Sequence, residues 1–245
     1  MAITVVQTAQ GGSVNAGMAS ATFGSPVTAG NTVIAVLATY PIVVSLSAPT
    51  DSKSNVYHTA VTKTQATITT TYEVGIYYAY NVTGGSSFNV TMSGYTFCCC
   101  GPSVQQVGIT IYEISGLTTT NPLDKTASNG VNNSGTNIPT GTTAATSVAN
   151  EFLLGAGNVI SSNVTNWTVN SPWTNLILND SGSNFNLTLL SAQQIVSSTG
   201  TYSATFTETG LLNAGGAAAI ATFTGGASGP PAAATGSLLY MGVGA

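Results

Sequence analysis

The chain has 245 residues, 43% of them hydrophobic and only 4% charged: three Lys, no Arg, seven Asp and Glu, and one His. Three lysines cannot form a basic face, which excludes nucleic-acid partners and attraction to an anionic membrane surface. No apolar run reaches the ~18 residues needed to span a bilayer.

An ordinary soluble domain carries about 25% charged residues. The surface here must instead be built from Ser, Thr, Asn, Gln, Gly and backbone. With little repulsion between copies, such a surface predicts association. The N-terminal run MAITVVQTAQ lacks a basic n-region and a long apolar stretch, so no signal peptide is visible. Either the chain is used without Sec export, or an export signal has been replaced by the starting Met.

In chain order, short runs rich in Val, Ile, Thr, Tyr and Phe predict strands at AITVVQT (2–8), NTVIAVLATY (31–40), VGIYYAYNV (74–82), SFNVTMSGY (87–95) and VGITIYEISG (107–116). They continue at EFLLGAGNVI (151–160), NLTLLSAQQIV (186–196), GTYSATFTE (200–208) and AAAIATFT (217–224). The continuous runs TVIAVLATY and VGIYYAY predict strands buried on both sides. In the 200–208 run, Tyr202, Ala204 and Phe206 alternate with polar residues, as in a strand with one wet face. Residues 118–148 form a long polar connection, predicted to be a contact loop or to hide a short edge strand. No repeat of fixed period is visible.

The pattern predicts an all-β protein: an antiparallel, jelly-roll-like β-sandwich over residues 1–224 and a flexible Gly/Ala/Pro-rich C-terminal arm over 225–245. The arm ends in the apolar cluster Leu238, Leu239, Tyr240, Met241 and Val243, which reads as a subunit contact. It either docks on a neighbouring subunit or folds back onto its own sandwich.

Little here suits catalysis. His58 is the only histidine, so triads and multi-histidine zinc sites are impossible, and it reads as an ordinary side chain near a strand start. Glu73 and Glu113 are the acids inside strong strand patterns. A glycosidase would need them ~5–9 Å apart; Glu113 reads instead as bonding backbone at a sheet edge or capping the following loop. Calcium is the one metal considered, at Asp51 with Asn55 or Asp124 with Asn121 and Asn129. Both stretches read better as Asx turns, and no other cofactor is expected. Trp167 and Trp173 are candidate glycan contacts, since exposed rings stack on sugars. Alternation sends Tyr78 and Tyr80 to one face and Tyr77 to the other, so at least one of these faces is core.

Cys98, Cys99 and Cys100 are the only cysteines. A structural zinc or iron–sulfur site needs about four ligands, and neighbouring residues cannot all aim at one ion. They read as small buried hydrophobes near a strand end, with a crosslink between packed subunits as the alternative.

Several segments carry a resemblance: Asp51-Ser-Lys-Ser-Asn-Val-Tyr57, Tyr78-Ala-Tyr-Asn-Val-Thr-Gly-Gly85, Glu113-Ile-Ser-Gly-Leu117, Pro122-Leu-Asp124 and Ala221-Thr-Phe223. In this order they resemble a module of bacterial surface proteins and phage structural proteins, over roughly residues 3–224. The resemblance implies a jelly-roll-like sandwich with a display or structural role rather than a reaction. Ser54 stands where the module usually has glycine, and the cysteine run has no counterpart in it.

Together these readings predict a non-enzymatic structural subunit of a larger assembly, most of all an exposed virion protein of capsid-decoration or fibre type. Its partners would be copies of itself and other structural proteins, on a virion surface or outside a cell. The alternatives are a carbohydrate-binding or adhesive module of a bacterial surface protein and the subunit of an extracellular filament.

Overall fold

The computed structural model describes residues 2–14, 18–40, 46–66, 71–92, 106–132, 136–161, 166–180, 186–209 and 215–226. Cys98 to Cys100 and the cluster Leu238 to Val243 lie outside them. Among the described residues the chain forms sixteen strands and no helix. The first eight are β1 (Thr4–Val14), β2 (Ser20–Thr22), β3 (Thr32–Tyr40), β4 (Thr50–Asp51), β5 (His58–Ala66), β6 (Thr71–Ala79), β7 (Asn89–Thr91) and β8 (Gln106–Ser115). The second eight are β9 (Leu123–Val131), β10 (Asn137–Pro139), β11 (Asn150–Ser161), β12 (Trp167–Val169), β13 (Thr174–Asp180), β14 (Asn186–Ser197), β15 (Thr205–Glu208) and β16 (Gly216–Thr224).

The continuous apolar runs sit at the centre because both of their faces are covered. Every residue of β3 but Tyr40 is buried. Ile34, Val36 and Ala38 face the second large sheet, while Val33, Ala35 and Leu37 face an outer layer. Two five-stranded antiparallel sheets, β1-β8-β3-β6-β5 and β13-β14-β11-β16-β9, pack against each other. Small three-stranded sheets, β2-β7-β4 and β10-β15-β12, cover their outer faces. The protein is an all-β antiparallel sandwich, as predicted.

The strand order contains a repeat that the sequence hides. Adding eight to each strand number converts β1-β8-β3-β6-β5 into β9-β16-β11-β14-β13, and β2-β7-β4 into β10-β15-β12. Register repeats as well. Tyr78 lies opposite Ile34 and His58, and Gln193 lies opposite Leu154 and Thr174. The β5–β6 ladder shifts between Thr59 and Val61, and the β13–β14 ladder shifts between Thr174 and Ile177. Within each half the first strand pairs with the eighth, the second with the seventh and the third with the sixth, which is the jelly-roll scheme. Contacts between the sheets obey the same exchange: β6 meets β16 as β14 meets β8, and β5 meets β9 as β13 meets β1. A pseudo-two-fold near β3 and β11 therefore relates residues 2–117 to 122–226.

The polar connection at 118–148 does hold an edge strand, β9, together with the short β10. Tyr78 and Tyr80 pack in the central core and Tyr77 in the outer cluster, as alternation requires. Ser54 adopts φ 60°, the left-handed region, at the position where the resembling module has glycine. A Cβ is disfavoured there. Ser54→Gly is expected to stabilise the protein by ~0.5–1 kcal/mol, read as a higher urea midpoint at unchanged slope.

Candidate functional site

The predicted site residues separate rather than converge. Glu73 and Glu113 flank β3 opposite Thr39 and Val33. Six residues of strand place them ~20 Å apart, too far for a carboxylate pair. Each instead holds a loop. Leu46 N–H donates to Glu73 Oε2 at 2.8 Å. Thr28 N–H and Asn31 Nδ2 donate to Glu113 Oε1 at 2.8 and 2.6 Å, and Gln7 Nε2 donates to Oε2 at 2.6 Å. Glu113 does accept from backbone, at Thr28 N–H, but it does so from the interior strand β8 rather than a sheet edge. It fastens the loop that leads into β3 rather than the loop that follows β8.

The pseudo-equivalent loop before β11 is also pinned by a carboxylate, drawn from a different strand. Ser147 donates to Asp124 through N–H at 2.6 Å and Oγ at 2.7 Å, and Lys125 Nζ donates at 2.7 Å. Burial opposes ionisation of Asp124, but the Lys125 ammonium and the Ser147 bonds outweigh it and hold the carboxyl well below its usual range. Glu151 beside it is fully buried, with neither oxygen in a well-formed hydrogen bond. Burial, reinforced by the Asp124 charge, pushes its carboxyl up to about 7.

The calcium candidates are occupied with local bonding. Asp51 accepts from the backbone N–H groups of Lys53 and Asn55 and from Asn55 Nδ2 at 2.8, 3.2 and 2.9 Å, an Asx-type turn. Asn121 Oδ1 accepts from the Tyr78 hydroxyl at 3.1 Å, while Asn129 lies on β9 opposite Ala218. No cluster of three His, Cys, Asp or Glu residues able to hold an ion occurs among the described residues. Trp167 and Trp173 are 5% and 6% exposed and belong to the outer core of the second half. Trp173 Nε1 donates to Ser203 O at 2.9 Å. Neither indole presents the open ring face that sugar stacking needs. His58 does stand at a strand start; it is exposed and stacked on Tyr80 at 5.3 Å.

Among the described residues, a groove with the form of a binding site was not foreseen. A groove of about 650 Å³ runs between edge strands β1 and β13, walled by Ile3, Val5, Leu176, Ile177, Gln193 and Ile195. None of its described lining residues is charged. Gln193 Oε1 is buried there without a hydrogen-bond partner, and Ile195 is 48% exposed. Deeper along the seam, Asn179 Nδ2 donates to Gly11 O and Ile109 O, both at 2.8 Å, and closes it.

The pseudo-symmetric seam, between β5 and β9, is shut. Tyr78, Tyr80 and His58 form an aromatic wedge there, with Tyr78 edge-on to Phe223 at 5.5 Å and bonded to Asn121. Farther along, β9 passes so close that a Cβ on Gly130 would strike Gln65 and Lys63. On the open side the wedge positions carry Thr174, Gln193 and Ile195. No sequence signal marks the groove, because it arises from the difference between two equivalent seams.

No protein-family model, curated protein or solved structure matches the chain.

Glu113→Gln would set an amide NH2 against Gln7 Nε2. Gln7 cannot turn over without losing the bonds between its amide and the Ser25 backbone. The substitution is expected to cost ~1–3 kcal/mol in a denaturant titration.

Glu151 gives a pH signature. Its carboxyl is raised on folding from the ordinary 4.5 to about 7, so the folded state holds the extra proton between those values. Its contribution makes stability fall as pH rises from 4.5 to about 7 and level off above. Glu151→Gln should remove that slope and leave the variant more stable than the parent at alkaline pH, measured by thermal melts across pH.

Proposed function

We propose that the protein is a non-enzymatic structural subunit of a larger assembly, most of all an exposed virion component of capsid-decoration or fibre type. The observation that carries this reading is where the charges go. Of seven acids, Glu73, Glu113, Glu151 and Glu208 are buried, and the Asp124 side chain is only 8% exposed. The lysines and Asp51 are the half-buried remainder, with the Asp180 side chain outside the described residues. The exterior is therefore almost free of charge and rich in Ser, Thr, Asn and Gln. Such a surface neither repels its own copies nor attracts polyanions, and it offers hydrogen bonds on every side. The jelly-roll pairing supports the reading by fold-level analogy, since this architecture serves in capsid and lectin domains. The resemblance to surface and phage structural modules points the same way. The setting is a virion surface or the cell exterior.

One observation favours a glycan-binding or adhesive module as the second reading: the exposed His58 ring stacked at 14° on Tyr80. Sedimentation and negative-stain microscopy over a concentration series separate the two. Discrete oligomers, filaments or sheets are expected. A monomer at every concentration that is retained on immobilised polysaccharide would replace the structural reading with the adhesive one.

A further inference from the structure

We propose that the groove between β1 and β13 is the receptor for the chain's own C-terminal segment Leu238–Val243, with the Tyr240 side chain as the wedge that the second half lacks. This goes beyond the structural role proposed above and does not depend on whether copies assemble. It selects one of the two placements the sequence left open for the arm.

Three observations carry it. The first is shape. At the equivalent seam the space is filled by Tyr78, Tyr80 and His58, whereas the second half has Gln193, Ile195 and Thr174 at those positions, the first two lining the groove. A site that its twin fills with aromatic rings is shaped for an aromatic ring. The second is polarity. Gln193 Oε1 is a buried acceptor without a donor, in the wall of an uncharged groove that mixes apolar residues with Thr4, Gln7, Thr8 and Asn175. A buried acceptor costs stability unless a donor reaches it. A turn of the Gln193 amide toward the groove would let an occupant with one hydroxyl or N–H on an apolar body meet that oxygen, and a phenol fits. Tyr240 is the only aromatic residue after Phe223, flanked by Leu239 and Met241 in a stretch without a charged side chain. An uncharged segment suits an uncharged groove.

The third observation is where the described chain stops. Gly226 N–H donates to Gly116 O at 2.7 Å. The backbone of Ala2 and Ile3 lies directly against Gly116, and Ile3 lines the groove. The chain is thus delivered to the mouth of the groove. Residues 227–237 can span up to ~36 Å, and the β1 wall from Ile3 to Thr8 is ~17 Å long. Reach is ample within one molecule.

The test uses the full chain with the photoreactive p-benzoylphenylalanine in place of Tyr240. Irradiation should crosslink it to peptides containing Ile3–Val5, Leu176–Ile177 or Ile195. In an equal mixture of isotope-labelled and unlabelled protein, those crosslinks should join peptides of like label. Mixed-label crosslinks into the groove would mean that a second copy's arm occupies it and would overturn the proposal, as would crosslinks that map elsewhere. A second variant fills the groove from within, with Gln193→Tyr and Ile195→Tyr restoring the bulk of the other seam. Amide exchange over 238–243 should then accelerate by about tenfold or more, while β3 and β11 keep their protection and so report intact folding. Unchanged exchange in the segment with a protected core overturns the proposal.

Discussion

The structure depends on two five-stranded sheets that are each covered on both faces. A sheet in an ordinary sandwich keeps one wet face and reads as an alternating pattern. Here the outer faces are capped by the small sheets and their loops, so β3, β8, β11 and β16 are buried along nearly their whole length. That arrangement gives a chain of 24.5 kDa three stacked hydrophobic layers instead of one. It also means that every polar group entering the stack needs a partner already in place.

The buried carboxylates follow from that constraint. Long loops must cross the outer faces, and their backbone donors would be orphaned if nothing met them. Glu113 meets Thr28, Glu73 meets Leu46 and Asp124 meets Ser147. The acids of this protein are chiefly internal fastenings, which is also why so little charge remains outside. Glu151 is the exception: a buried acid beside another acid, with neither oxygen in a well-formed hydrogen bond and held protonated toward neutral pH.

The central strands were legible because burial on both faces writes a continuous apolar run into the sequence. The edge strands β5 and β13 were not, and β9 was only one of two readings of a polar connection. HTAVTKTQA, LDKTASNGV and TNLILND carry polar residues at close spacing, and their pairing is set by neighbours rather than by their own pattern. Trp167 and Trp173 misled for a related reason. Ser, Asn and Pro around them suggested a surface loop, but those residues belong to the turn while the rings point inward. The internal repeat was hidden because equivalence is kept in register and burial, not in identity. Tyr57 and Trp173 both plug outer cores, and His58 and Thr174 both precede the same ladder shift. The groove is written in no single segment, since it consists of what the second seam lacks.

The pseudo-two-fold has an evolutionary consequence. Two separate, identical half-chains meeting about a true dyad would carry either the aromatic wedge at both seams or the gap at both. One gene encoding both halves removes that obligation, because each seam can mutate alone. In this chain the β5–β9 joint is closed by aromatic rings while the β1–β13 joint is left open as a groove.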